Sequence, residues 1–108
     1  MIVSAWKIGT PNIKTGSGYG IRIKLKDRDR YFSRDWSSVR IRIENGREFD
    51  ANISKAFWEK CPELRSKWIG RWLLEQGLIF WPISKPPKLR LDKIGDRIFK
   101  LRGAGHKV

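Results

Sequence analysis

Apolar and polar residues alternate in several stretches of this chain. The alternation is strict over 21–26 (IRIKLK) and over 39–44 (VRIRIE), and a period of two is typical of strands with one buried face. Further strands are predicted at 1–8, 47–53, 89–91 and 98–101, with hairpin turns at Asn45-Gly46 and Gly95-Asp96. The pattern therefore predicts a chain dominated by short strands.

Helical signals lie in the middle of the chain. Ser54 is a plausible N-cap for a short helix that ends near Lys60. Pro62 suits the first turn of a second helix, which runs to about Gln76, and Gly77 fits the left-handed position after it. Together these signals predict a hairpin of two helices between two groups of strands.

The predicted fold class is α+β. We expect a strongly curved antiparallel sheet or an open β-barrel with a central two-helix hairpin. Residues 1–102 are expected to form a single basic domain, and 103–108 a disordered tail. The glycine-rich segment 9–20 is expected to be a loop, and 27–36 a turn or a short helix.

Composition adds a strong charge to this picture. The chain of 108 residues has 24 Lys and Arg against 11 Asp and Glu, a formal net charge of +13. Its six Trp and 40% hydrophobic residues exclude a disordered basic tail, because such tails are poor in aromatic residues. A surplus of this size favours a polyanionic partner, most often nucleic acid.

Two function classes are disfavoured by the residues themselves. One cysteine excludes an internal disulfide framework, and one histidine excludes a zinc site built from His and Cys. No apolar run approaches the roughly 20 residues of a membrane span, and no signal peptide is visible. We therefore expect a cytoplasmic protein with no membrane partner.

The strand pattern places many basic residues opposite the apolar stripes. Side chains two positions apart share a face of a strand, so these bases lie on the outward side. Nine are predicted to form a cationic platform for phosphates: Arg22, Lys24, Lys26, Arg40, Arg42, Lys88, Arg90, Lys100 and Arg102. A single polar residue at an outward position means little, but positive charge at the outward positions of four strands favours a functional basic face. Glu44, Glu48 and Asp50 interrupt the pattern and are expected to pair with arginines of the hairpin.

Two other elements are candidates for nucleic-acid contact. Arg65 and Arg71 are predicted to lie on the exposed side of the second helix, which would enter a major groove, and the element order resembles a winged helix-turn-helix domain. Tyr19 ends the glycine-rich loop and is a candidate for stacking on a base. The same loop is either a weak phosphate cradle or simply a flexible connection.

Catalytic signals are weak. His106 falls in the expected tail, and Cys61 has no histidine nearby. No catalytic residue, cofactor or metal is therefore assigned.

The leading hypothesis is a non-enzymatic nucleic-acid-binding protein, with DNA favoured over RNA. The alternatives are a small nuclease of the toxin kind, with or without a metal, and an interaction module for an acidic protein. A homodimer formed through an edge strand of either hairpin also stays open.

Three strings carry a resemblance to other proteins. Residues 18–23 (GYGIRI), residues 57–66 (FWEKCPELRS) and Trp81-Pro82 followed by Pro86-Pro87 are similar to a small family of uncharacterised prokaryotic proteins over nearly the whole chain. This resemblance implies a prokaryotic protein and nothing about its substrate. The expected fold also loosely resembles B3-like DNA-binding barrels, with no motif matched residue by residue.

Overall fold

The structure is a computed structural model that describes residues 1–82 and 84–104. Its strands are β1 (Ile2–Lys7), β2 (Tyr19–Arg22), β3 (Ser38–Ile43), β4 (Glu48–Asn52), β5 (Glu63–Arg65), β6 (Lys88–Gly95) and β7 (Ile98–Gly103). Its helices are α1 (Leu25–Tyr31), α2 (Lys55–Glu59) and α3 (Lys67–Glu75). In this described part of the chain, no helix has the length and apolar character needed to cross a membrane.

The strands form one mixed sheet that is nearly closed into a barrel. Their order is β4-β3-β7-β6-β1-β2-β5, and every pair is antiparallel except β3 with β7, which run parallel. The sheet curls until β4 approaches β5, its other end. The predicted α+β class with a strongly curved or barrel-like sheet is therefore confirmed, with one parallel pair in place of a wholly antiparallel sheet.

Alternation along the strands fills the inside of the barrel. The inward side chains are almost completely buried, including Val3, Ile21, Val39, Ile41, Ile43, Leu64, Leu89, Leu91, Phe99 and Leu101. Helix α3 packs against β2 and adds Ile69, Trp72 and Leu73 to the same core. After α1, the ring of Phe32 stacks on that of Phe99, with 4.7 Å between the ring centroids. One hydrophobic core therefore unites the sheet and the helices.

The strand expected at 21–26 is wrong beyond its first residues. β2 ends at Arg22, Lys24 is the extended N-cap residue of α1, and the Lys24 carbonyl accepts hydrogen bonds from the N–H groups of Asp27 and Arg28. Leu25, which the alternation placed on the buried face, is 57% exposed. The chain leaves the sheet after Ile23, so the polar and charged residues beyond it form a surface helix.

The helix expected from Pro62 begins later. Leu64 is completely buried, and β5 pairs with β2 there, so the backbone is extended instead of helical. Helix α3 is capped by Ser66, whose hydroxyl accepts a hydrogen bond from Trp68 N at 3.1 Å. The short helix after Ser54 and the left-handed Gly77, with φ of 70°, are as predicted. A strand therefore lies between the two central helices, which removes the resemblance to a winged helix-turn-helix domain.

The glycine-rich loop is held against α3. The Asn12 side chain accepts hydrogen bonds from Lys14 N and Thr15 N, and the Asn12 carbonyl accepts one from Gly16 N. Gly16 is buried, and a Cβ atom on Gly70 of α3 would lie 2.0 Å from the Gly16 oxygen. Because these N–H groups already have partners, they do not form the open phosphate cradle considered above.

The end of the chain differs from expectation in one respect. The tail was predicted from residue 103, whereas Gly103 closes β7 and its N–H donates to the Glu44 carboxylate at 3.2 Å. Residues 105–108, which include His106, lie outside the described residues.

The contact between Gly16 and Gly70 gives a stability prediction. At an ordinary helix position, Gly→Ala raises helix stability by about 1 kcal/mol. We expect Gly70→Ala instead to lower the free energy of unfolding by about 2 kcal/mol, because the methyl group must push the loop away from α3. Gly9→Ala is the matched control, since nothing lies within 4 Å of its Cβ position. Urea unfolding measures both, and a Gly70→Ala variant as stable as the native protein would contradict the close approach.

Candidate nucleic-acid interface

The outer surface of the barrel gathers seven of the nine predicted bases. We call this set the cationic face, and all of its members are exposed: Arg22, Arg40, Arg42, Lys88, Arg90, Lys100 and Arg102. They alternate with buried apolar residues along β2, β3, β6 and β7. Lys24 and Lys26 do not belong to it, because the chain turns into α1 and carries them off the sheet.

Strand register places like charges side by side on this face. Arg42 lies opposite Lys100 in the parallel pair of β3 and β7, and Arg90 lies opposite Arg102 in the antiparallel pair of β6 and β7. Like charges directly opposite each other destabilise a sheet. Burial of the core requires only polar residues at these outward positions. It does not explain why the residues that face each other carry the same charge.

Acidic neighbours offset part of this repulsion at the β3–β4 hairpin. Glu48 lies 2.9 Å from Arg42 and 3.5 Å from Arg40, and Asp50 lies 3.2 Å from Arg40. This confirms the expected pairing of Glu48 and Asp50. Both partners of each pair are substantially exposed, and exposed pairs contribute only about 0–1 kcal/mol. These pairs therefore hold Arg40 and Arg42 only weakly.

Asp92 has the same role between β6 and β7. Its carboxylate lies 3.1 Å from Arg90, 3.2 Å from Arg102 and 3.1 Å from the N-terminal ammonium of Met1. Partial burial raises the pKa of Asp92, but hydrogen bonds from the ammonium and Arg90 outweigh it, so the pKa falls below its usual value. Asp92 therefore stays ionised and shares one negative charge among three cations.

Glu63 is the carboxylate at the β2 end of the face. It accepts hydrogen bonds from the guanidinium group of Arg22 and from Arg65, the latter at 3.4 Å, and only 7% of its side chain is exposed. At the opposite side of β1, the Lys88 ammonium donates to the Ser4 hydroxyl at 3.0 Å. Within residues 1–82 and 84–104, four carboxylates (Glu48, Asp50, Glu63 and Asp92) form ion pairs with members of the cationic face, so the seven basic residues outnumber them.

Tyr19 does not provide the open ring expected for base stacking. It is 1% exposed and faces the core, and burial raises the pKa of its hydroxyl group. Its ring packs against Trp81, with 6.3 Å between the ring centroids. The alternation within β2 explains this position, because Tyr19 and Ile21 share the inward side.

Arg65 and Arg71 do not share a helix face. Arg65 lies on β5, and its guanidinium carbon is 4.4 Å from the centre of the Trp6 ring. Arg71 lies on α3 and donates from Nε to the Thr15 carbonyl at 3.1 Å. The geometry therefore gives no support to the insertion of a basic helix into a major groove.

A groove at the end of β1 was not predicted. It has a volume of about 390 Å³, and its walls include Trp6, Lys7, Arg22 and Trp81. The Lys7 ammonium lies 4.3 Å from the centre of the Trp81 ring. The sequence contained one signal for it, because Trp6 falls on the outward side of a strand whose inward residues are Val3 and Ala5.

A second aromatic and cationic cluster surrounds Trp68 on α3. Arg47 lies 3.9 Å from the centre of its ring, and Lys67 and Arg71 each lie 5.0 Å away. Arg47 comes from the turn between β3 and β4, so no linear pattern relates it to α3. Among the described residues, no group of three or more His, Cys, Asp or Glu side chains is arranged to hold a metal ion.

Comparisons with protein-family models, with curated proteins and with solved structures find no match for this chain. The charge and geometry of the cationic face and of the groove beside it are therefore the basis for assigning a function.

The lowered pKa of Asp92 predicts a pH dependence of stability. A carboxyl group whose folded pKa lies below its unfolded value stabilises the fold above the unfolded value, about 4 for Asp. This contribution is lost as the pH falls through the lowered pKa. We expect Asp92→Asn to reduce stability at neutral pH and to weaken the loss of stability on acidification.

Thermal melts from about pH 2 to pH 7 test this expectation. The control is Asp35→Asn, which removes an exposed carboxylate that has no ion pair in the described part of the chain. Identical pH profiles for Asp92→Asn and the native protein would show that Asp92 is not coupled to its three cations.

Proposed function

We propose that this protein binds nucleic acid, DNA in preference to RNA, through phosphate contacts on the cationic face. The observation that carries the proposal is the pair of like-charged neighbours, Arg42 with Lys100 and Arg90 with Arg102, on three adjacent strands. Their repulsion costs stability in the free protein, and a bound polyanion relieves it.

The spacing of these bases suits a chain of phosphates. Neighbouring strands lie about 4.8 Å apart, and outward residues along one strand repeat about every 6.6 Å. A row of phosphates that lies on this surface therefore has basic side chains within reach both along each strand and across β3, β7 and β6. Contacts of this kind position nucleic acid without reading its sequence.

The carboxylates on the face are compatible with this role. Arginine has five donors in a planar fork, so Arg42 and Arg90, which each meet a carboxylate through Nε, can hold a phosphate with the other edge. The formal net charge of +13 adds a long-range attraction that steers a polyanion to the protein. Binding should therefore be strong at low salt and weaken steeply as salt is added.

Replacing two basic residues of the cationic face tests the proposal. We expect Arg42→Gln with Lys100→Gln to weaken binding to all DNA sequences alike and to reduce the salt slope by about two units, one for each lost phosphate contact. Fluorescence anisotropy with labelled duplex DNA, single-stranded DNA and RNA at several salt concentrations measures affinity, slope and the preference between DNA and RNA.

A charge-matched variant separates a local contact from the effect of total charge. Lys55→Gln with Lys60→Gln also removes two positive charges, but at α2 and not on the cationic face. We expect it to change the salt slope much less. Equal effects of the two double variants would show that binding depends on net charge and not on this surface.

The same samples separate the two alternative functions. Incubating labelled RNA and DNA with the protein, with and without Mg²⁺, followed by gel electrophoresis, would show shortened strands if the protein is a nuclease. Failure to bind any nucleic acid at low salt would contradict the proposal and favour an acidic protein as partner.

A homodimer, which the sequence left open, would require a free strand edge. In the β6–β7 hairpin, residues 88–90 of β6 pair with β1 and residues 98–101 of β7 pair with β3, so within the described chain its free edge is limited to the turn end of β6. β4 and β5 are the two ends of the sheet in the described residues, so we propose that any strand-mediated dimer uses them. Sedimentation at increasing protein concentration tests for the dimer, and a monomer throughout would contradict it; a dimer that survives Phe49→Pro in β4 would contradict the use of that edge.

A further inference from the structure

The groove at the end of β1 combines aromatic rings with positive charge. The indoles of Trp6 and Trp81 are both partly exposed, and each has a cation over its ring: Arg65 at 4.4 Å and Lys7 at 4.3 Å from the respective centroids. Arg22 is a further cation in its wall. Aromatic rings beside basic side chains are the arrangement on which single-stranded nucleic acid stacks its bases.

The groove and the cationic face form one surface. Ser4 of β1 lies opposite Arg22 on one side and opposite Lys88 on the other, so Arg22 in the groove wall is two strands from Lys88 on β6. Trp6 follows two residues later on the same outward side of β1. A nucleic-acid strand whose phosphates lie on β6 and β7 therefore reaches the groove without leaving the surface of the protein.

The groove is large enough for one base. Its volume of about 390 Å³ exceeds that of a single flat ring system, and Trp81 is supported from beneath by the buried ring of Tyr19. A base inside a duplex is already stacked on both faces and is not available to the indoles. Stacking in such a groove depends on strand form and not on sequence, because every base has a flat ring face.

We propose that this groove binds one base of a single-stranded nucleic acid, stacked on Trp6 or Trp81, while Lys7 and Arg22 contact the flanking phosphates. The proposal rests on the function proposed above and adds to it the preferred strand form and the site that selects it. It predicts tighter binding to single strands than to a duplex of the same length.

Nuclear magnetic resonance of the unaltered protein tests the site directly. Each of the six tryptophans has one indole N–H signal in a proton–nitrogen correlation spectrum. We titrate the protein with a short oligothymidylate and with a duplex, and assign the signals with single Trp→Phe variants. The expected result is that the Trp6 and Trp81 signals shift most with the single strand and little with the duplex.

A pair of matched variants then measures the contribution of stacking. We expect Trp6→Leu to weaken single-strand binding by about tenfold, the effect of losing one stacked base, and duplex binding by much less. Trp68→Leu is the control, because Trp68 is also partly exposed and has cations over its ring, but it lies on α3 outside the groove. A thermal melt of each variant verifies that it is folded.

The outcomes distinguish this inference from the proposed function. Binding with a steep salt slope but without shifts of Trp6 and Trp81, or an equal loss in Trp6→Leu and Trp68→Leu, overturns the groove alone. No binding to either ligand overturns both proposals. If the Trp6 and Trp81 signals shift on raising the protein concentration without nucleic acid, the groove is occupied by a second copy of the chain, and the inference is wrong.

Discussion

The parallel pairing of β3 with β7 is the constraint on which the rest of this structure depends. It joins the β3–β4 hairpin to the β6–β7 hairpin, which are formed by distant parts of the chain. The pairing puts Ile41 beside Phe99 inside the barrel, where both side chains are completely buried. The same register puts positions 42 and 100 side by side outside, because side chains alternate between the two faces of a strand, and both positions hold basic residues. The free energy gained by packing the core thus offsets the cost of the repulsion on the surface.

The carboxylates show how far that repulsion is offset in the free protein. Asp92 forms ion pairs with Arg90, Arg102 and the N-terminal ammonium, and Glu63 forms ion pairs with Arg22 and Arg65. These carboxylates are shared, so the surface remains positive although most of its bases have an acidic neighbour. Exposed ion pairs are weak in water, whereas a polyanion that releases its counterions on binding gains free energy at every phosphate.

Some aromatic residues are buried in the core and others lie on the surface, according to the strand or helix that carries them. Phe99 and Trp72 are completely buried and hold the sheet and α3 together. Trp6 projects outward from β1, and Trp81 lies over the buried Tyr19. Both tryptophans line the same groove although they are far apart in the chain, because β1 pairs with β6 and Ala5 N donates to the carbonyl of Pro87, in the segment that leads into β6.

Local patterns in the sequence determined the strands β1, β3, β4 and β7, the start of β6, the turn at Asn45-Gly46 and the outward side of most of the basic residues, because alternation and turn residues act over a few neighbouring positions. The second turn lies one residue later than predicted, at Asp96-Arg97, because β6 continues to Gly95. The local patterns did not determine where β2 begins and ends, which decides that Tyr19 is buried, or that β5 precedes α3, since these depend on the pairing of β2 with β1 and β5. Only the tertiary structure brought Trp6, Lys7 and Trp81 into one groove. The physical reason is that a strand pattern specifies which side of a strand a residue occupies, whereas the neighbour across the sheet is chosen by long-range pairing and by the fit of the whole core.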